Sequence, residues 1–425
     1  MSEGIKLSEV CKIKGGSGFP EKYQGKKAGK YPFIKVSDMN LPENRQTITK
    51  ANNYVDDNLV KSLGLTVFPE NTIVFAKVGA AVYLNKRRIL SEDTIIDNNM
   101  MGVVPHHIDY FFLYYLLLNV DLSIFTQPGA LPSVNQNIVG NLLIPNYRLE
   151  RQIHIRNILG SIDRAIAHTE ALIEKYQQIK AGLMHDLFTR GIGADGKLRP
   201  PRDEAPELYQ ESAIGWIPKD WEIKLLGELC NITSGGTPNR SKSKFWGGNI
   251  PWIKTGEIKY NRIEDSEEYI TKEGLNSSSA KLFREGTVVM AIYGEGNTRG
   301  RVAILGIDCA SNQACVGFEF NNLVQSQFMY FLFEQKYCVL RDMSNDGSQK
   351  NLSATLLKNM SIAFPRNQDE QERITNFLLS INQKIEQERE HRTKLHKQKS
   401  GLMHDLLTGK VPVKVASDEV DYISN

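Results

Sequence analysis

Two residue pairs in the chain could support acid–base chemistry, and their placement argues against it. His185-Asp186 and His404-Asp405 each join an imidazole to a carboxylate. Neighbouring residues on a helix face different ways, so these pairs predict helix capping or partner contact instead of catalysis. Gly15-Gly16-Ser17-Gly18 and Tyr293-Gly294-Glu295-Gly296 lack the Lys-Ser/Thr of a phosphate loop and read as turns. No Asn/Asp-Pro-Pro-aromatic run of the amino-methyltransferase kind occurs, and no paired carboxylates with a lysine mark a nuclease. Cys309 and Cys315 are too isolated to ligate a metal, and Cys11 and Cys230 are expected to fill core sites. The chemistry left is recognition, for which cations suit phosphate and planar hydrogen-bonding side chains suit base edges.

Three loops supply such side chains in the second half. Residues 234–248 carry Thr237, Asn239, Arg240, Lys242 and Lys244; residues 293–301 carry Tyr293, Glu295, Asn297, Thr298, Arg299 and Arg301; residues 346–351 carry Gln349 and Lys350. Arg299 is the leading candidate, because a guanidinium on a glycine-flanked loop can donate bidentately to guanine. The first half offers Lys14, Lys22, Lys26, Lys27, Lys30, Lys77, Gln127 and residues 133–136 ending in Gln136. Lys35 and Lys254 occupy matched positions after an apolar triplet. Lys86-Arg87-Arg88 is a charge run expected to face solvent or a partner.

The elements that position these loops are written twice. Gly182-Leu183-Met184-His185-Asp186-Leu187 recurs 219 residues on as Gly401-Leu402-Met403-His404-Asp405-Leu406, and Tyr31-Pro32-Phe33-Ile34-Lys35 recurs as Ile250-Pro251-Trp252-Ile253-Lys254. Cys11 and Cys230 share that offset. Elsewhere the register drifts but the order holds: Glu70-Asn71-Thr72 with Glu285-Gly286-Thr287, Asn98-Asn99 with Asn312-Gln313, Phe112 with Phe328, Gly129 with Gly347. Within each unit, short β-branched runs punctuated by Gly, Asn and Pro predict strands and loops, followed by one long helix.

A four-then-three spacing selects Ile155, Leu159, Ile162, Ile166, Ile173, Tyr176, Leu183 and Leu187, with Thr169 and Lys180 at the polar steps. Its twin selects Ile374, Leu378, Ile381, Ile385, Leu395, Leu402 and Leu406, with Glu388, Arg392 and Lys399 at the polar steps. A heptad seam of this length predicts a coiled coil, and the natural partner of each helix is the other, packed antiparallel. Asn367 with Glu370 predicts a capping box, and Gly191 and Gly409 close the two helices. Two like units joined by such helices suit a ligand with two half-sites.

Composition sets outer bounds. The 425 residues exceed a single core, the net charge of +3 permits nucleic-acid binding without arguing for it, and five cysteines fit neither a disulfide framework nor a zinc site. No apolar run reaches the ~20 residues of a membrane span; the stretch 110–120 reads as a buried element. With no signal-peptide pattern, cytoplasmic residence is expected.

With the repeat and helices in view, the sequence resembles the specificity subunit of type I restriction-modification systems. The residues carrying the resemblance are Gly182-Leu183-Met184, Gly401-Leu402-Met403 with Leu406-Leu407-Thr408-Gly409-Lys410, and Arg190-Gly191-Ile192-Gly193. Ile214-Gly215-Trp216-Ile217-Pro218-Lys219-Asp220-Trp221-Glu222, Gly235-Gly236-Thr237-Pro238 and Ile250-Pro251-Trp252-Ile253 complete the set. The resemblance implies an α+β protein: two globular α/β target-recognition domains separated by two long helices in an antiparallel coiled coil, with a pseudo-twofold repeat. On that reading residues 1–145 and 222–365 are the recognition domains, 146–190 and 366–410 the spacer helices, 191–221 a linker and 411–425 a tail. The implied partners are double-stranded DNA with two half-sites and two methyltransferase subunits, in an assembly open to restriction–translocase subunits. The chain itself would have no catalytic residue, metal or cofactor. The first half lacks the Gly-Trp-Ile-Pro-Lys-Asp-Trp lead-in, and its loops differ from those of the second, so the two half-sites should differ. A coiled-coil scaffold that binds only proteins, and a stand-alone DNA-modifying enzyme with unseen motifs, are the rival readings.

Overall fold

The computed structural model describes residues 4–126, 132–294, 297–343 and 351–413. The chain forms two compact units, one from residues 1–170 with 390–425 and the other from residues 171–389. The boundaries fall inside the two long helices, Leu149–Thr189 and Gln368–Leu407, so each unit owns one head and one part of each helix.

In the first unit, Ile73–Ala76 is an unbroken apolar run and lies in the middle of a five-stranded sheet, buried on both faces. The strand order is Cys11–Gly15, Met100–Pro105, Ile73–Ala76, Arg88–Leu90, Thr47–Ile48, antiparallel except for the last pair. Ile73 and Phe75 point to one core with Ile13, Val103 and the helix Tyr110–Asn119. Val74 points to a second core with Ile34, Phe68 and Ile96, contributed by a four-stranded sheet. That sheet runs Asn53–Val55, Tyr31–Ile34, Thr94–Ile96, Val67–Phe68. The stretch at 110–120 is the buried element expected, with Phe112 to Leu117 all inside.

The second unit repeats this plan strand for strand. Its five-stranded sheet runs Cys230–Ser234, Cys315–Phe320, Val288–Ala291, Val302–Leu305, Arg262–Ile263; its four-stranded sheet runs Tyr269–Ile270, Trp246–Ile253, Cys309–Ser311, Leu282–Phe283. Every pairing sense matches its counterpart. Cys11 and Cys230 fill equivalent buried positions, and burial pushes both thiols up to about 12. The structure corrects one alignment. Ile34 pairs with Ile96 as Ile253 pairs with Ser311, so Asp97 corresponds to Asn312, and Asn98 to Gln313. Both Asp97 and Asn312 use a side-chain oxygen to accept from the backbone two residues on, at 2.8 and 3.1 Å. Gly129 and Gly347 lie outside the described residues.

Of the predicted seam, Ile155, Leu159, Ile166, Ile173, Leu187, Ile374, Leu378, Ile381, Ile385, Leu395 and Leu406 are buried. Ile162, Tyr176, Leu183 and Leu402 are half-buried. Within the first unit the helix segments run antiparallel: Ile155 and Leu159 share a core with Leu406 and Leu407, and Asp163 meets Lys399 at 2.6 Å. In the second, Met184 and Leu187 share a core with Ile374 and Leu378. The lysines at two seam positions have a shared task. Lys399 lies over the Tyr115 ring and pairs with Asp163; Lys180, one repeat period earlier, lies over Phe331 and pairs with Glu334 at 2.6 Å. Each lysine thus ties its helix to the apolar helix of a head.

The capping box is half right. Asn367 Oδ1 accepts from the Asp369 N–H at 2.9 Å, so it caps the second helix. Glu370 does not reach back to it. Its buried carboxylate accepts from the Ile192 N–H (2.8 Å), Trp221 Nε1 (3.1 Å) and both terminal nitrogens of Arg199 (2.6 and 2.9 Å). Arg199 also reaches Asp220 at 2.6 Å. This network straps the segment after the first long helix onto the start of the second. Among the described residues no helix is long and apolar enough to cross a membrane.

Candidate nucleic-acid interface

In both heads the loops that leave the five-stranded sheet at one end lie side by side because glycines let the backbones touch. A Cβ on Gly16 would overlap the carbonyls of Ile96 and Asp97, and one on Gly235 those of Ser311 and Asn312. The same gathering brings Lys77 and Ile292 to equivalent places, where their N–H groups donate to Asn99 (2.8 Å) and Ala314 (2.9 Å). Their carbonyls accept from Val134 and Leu352.

In the second head Thr237 Oγ1 donates to Gln313 Oε1 at 2.5 Å, and Trp252 Nε1 donates to the Gly236 carbonyl at 2.9 Å. The Arg240 guanidinium lies over two indoles, 3.8 Å from the Trp246 centroid and 4.9 Å from that of Trp252. It pairs with Glu268, which also takes Lys254 at 2.9 Å, and Lys254 reaches Glu267 at 3.2 Å. Arg240 and then Lys254 hold the Glu268 carboxyl below its usual range, while Glu268 and Glu267 hold the Lys254 ammonium above its own. Lys242 is exposed; Lys244 is exposed and paired with Glu273. Tyr293 is exposed, whereas Asn297 accepts from Tyr337 through its carbonyl at 2.7 Å and from Arg341 through its side chain at 3.2 Å. Thr298 and Arg301 are half-buried.

Arg299 is not where its sequence context suggested. It is only 8% exposed and donates to the Arg341 carbonyl at 3.0 Å, so it builds the loop and presents no free fork to a base. Arg341, a half-buried neighbour outside the residues singled out from the sequence, holds Asn297 from the helix Tyr337–Asp342. Gln313, read only as a repeat anchor, and Trp246 are the other residues of this surface that went unremarked. Glu295, Gln349 and Lys350 lie outside the described residues.

In the first head Lys35 Nζ donates to Gln24 Oε1 at 2.9 Å, and Lys77 extends so close to Gly15 that a Cβ there would lie 2.8 Å from its Nζ. Lys26 pairs with Asp56 at 3.0 Å and Lys30 with Asp57 at 2.8 Å, which lowers both carboxyls and raises Lys30. Lys22 lies over the Tyr23 ring. Lys14, Lys27 and Gln136 are exposed, the last opening a short helix capped by Asn135. Gln127 lies outside the described residues. Among the described residues no carboxylate pairs with Lys14, Lys27 or Lys242.

The charge run at 86–88 turns inward. Arg87 is 2% exposed over the Phe75 ring, with its pKa lowered to about 10 by burial, and Arg88 donates to the carbonyls of Met39 and Arg87. The His-Asp pairs do not form acid–base couples. Thr189 Oγ1 donates to the His185 carbonyl at 2.8 Å, Thr408 does the same to His404, and Asp186 and Asp405 face Arg190 and Lys410. Among the described residues no cluster of His, Cys, Asp or Glu could hold a metal.

A family model described as the type I restriction modification DNA specificity domain matches residues 2–178 and again residues 218–397. The chain belongs to the type I restriction-modification specificity-subunit family. The two matches fall on the two repeats, so the internal duplication is the family's domain occurring twice. Among specificity subunits of Methanocaldococcus jannaschii, that of MjaVIII is 26% identical over 342 residues, covering 78% of this chain and 76% of that one. The putative MjaX subunit is 23% identical over 416 residues, covering 94% and 91%. The S subunit from M. genitalium has the same fold, with a TM-score of 0.56 at 15% identity over 97% of this chain and 96% of that one. The DNA-specificity function of the family is therefore this chain's, carried on two recognition domains with two long helices.

Proposed function

We propose that this specificity subunit reads a split duplex DNA site whose two halves differ, one half per head, and that it performs no chemistry itself. One observation carries the reading. The heads share a framework strand for strand, yet matched loop positions present Thr237, Arg240 and Gln313 in one and Gly18, Glu21 and Asn98 in the other. Unlike side chains on like frameworks give unlike half-sites, hence an asymmetric whole. Lys14, Lys27 and Lys242, exposed and with no carboxylate partner among the described residues, suit phosphate contacts, which confer salt-dependent affinity. The partners of this reading are two methyltransferase subunits docked on the long helices, in an assembly open to restriction–translocase subunits. A solved protein of similar fold, 0.57 in TM-score at 16% identity, belongs to a study of complex assembly and conformational transition of the type I R-M system. The site of action is the cytoplasm, where the DNA lies.

Methylome sequencing of a host expressing the chain with its methyltransferase partner tests the reading. The expected motif is split and non-palindromic; a continuous motif, or methylation by the purified chain alone, would sink it. Inserting one heptad into each long helix should lengthen the spacer by about 3 bp (~10.5 Å of helix against ~3.4 Å per base pair). Arg240→Ala should relax one base position in the second half-site, at about 1–3 kcal/mol. A uniform loss across all sequences would instead mark Arg240 as a phosphate contact.

A further inference from the structure

Positions 151 and 370 stand one repeat period apart on the two long helices. In the second unit position 370 is the buried carboxylate that receives Trp221, Ile192 and Arg199. In the first unit it is Arg151, so the charge is reversed. The neighbouring residue changes as well. Gly4 pairs with Pro145 as Trp221 pairs with Pro365, which puts a hydrogen atom where the second unit has an indole.

The space that results is a groove of about 560 Å³, walled by Leu116, Leu143, Pro145, Tyr147 and Leu407 with Arg151 at its side. The Arg151 guanidinium rests 4.0 Å from the Tyr147 ring centroid, and its buried Nε has no hydrogen-bond partner among the described residues. Leu143, on the wall, is 72% exposed. Apolar walls around a cation with an unused donor fit a peptide that alternates aliphatic or aromatic side chains with carboxylates.

Such a peptide follows directly. The described residues stop at Val413, Gly409 and Pro412 line the groove, and residues 418–423 read Asp-Glu-Val-Asp-Tyr-Ile. The five residues from 413 to 418 can span up to ~17 Å, ample to cross a groove that begins at Pro412. We infer that this acidic segment docks in the groove of its own first unit, with a carboxylate on Arg151 and an apolar side chain where the second unit holds Trp221. The first unit then acquires the strap that the linker gives to the second, with donor and acceptor exchanged.

Hydrogen–deuterium exchange of the full chain tests this. Peptides covering 142–151 and 414–425 should exchange at least tenfold more slowly in the parent than in a D418N/E419Q/D421N variant, whose changes leave the groove itself intact. Arg151→Glu should abolish the protection of 414–425, and combining it with D418K/E419K/D421K should restore it. Equal exchange in the parent and the neutralised variant overturns the inference, as does failure of the charge-swapped protein to recover protection. Protection that grows with protein concentration also overturns it, since the occupant would then come from a second copy.

Discussion

Glu370→Ala should cost the second unit about 3–5 kcal/mol, the largest loss expected of any single truncation described above. The substitution leaves Arg199 buried without its main counter-charge and orphans the Ile192 and Trp221 N–H groups, each of which accounts for part of the penalty. Glu370→Gln keeps one acceptor for the two neutral donors and should fall between. The measurement is chemical denaturation followed by Trp fluorescence, because Trp221 lies 2% exposed inside the network. All four tryptophans lie in the second unit, so the fluorescence transition should move, while a transition of the first unit followed by far-UV circular dichroism should not. A loss below about 1 kcal/mol for Glu370→Ala would show that Asp220, already 2.6 Å from Arg199, takes over the charge.

The second large effect concerns a glycine in the middle of a buried strand. Gly317 pairs with Val289, and a Cβ there would lie 2.6 Å from the Phe283 ring; Gly102 pairs with Val74, and its Cβ would lie 2.5 Å from Phe68. Each glycine is the flat spot onto which the four-stranded sheet lowers an aromatic ring. Gly317→Val should cost roughly 3 kcal/mol through overpacking, and Gly102→Val a similar amount in the other unit. The diagnostic experiment is the pair Gly317→Ala with Phe283→Leu, which should recover much of the loss because the smaller side chain vacates the contact. Additive losses would mean that the strand, and not the ring, resists the side chain.

Much of this architecture was legible in the residues because the features that reveal it repeat. A heptad seam maintained across two helices and an exact recurrence around Gly182 and Gly401 report long-range order through local spacing. The functional surface was harder to read, for a physical reason. Arg299 and Arg240 look alike as glycine-rich loop arginines, yet one curls back on the Arg341 carbonyl while the other is held over two indoles. What decides between them is a neighbour distant in sequence, and no local pattern encodes that. Arg87 makes the same point from the other direction. Its charge run suggested solvent, but Asn85 and the Lys86 and Val120 carbonyls satisfy its terminal nitrogens inside the protein. Glu370 sits near a helix start, as a capping residue would, but its partners Ile192, Arg199 and Trp221 enter from 178, 171 and 149 residues upstream, beyond the reach of any local pattern.

The discontinuity of the first unit sets an order on synthesis. A ribosome finishes residues 171–389 as one uninterrupted stretch, whereas the first head waits for residues 390–407 before Leu406 and Leu407 can cover Ile155 and Leu159. At roughly 5–20 residues per second, the intervening stretch takes on the order of 10–40 s. During that interval the head emerging first presents uncovered apolar surface, and the head emerging second can complete before it.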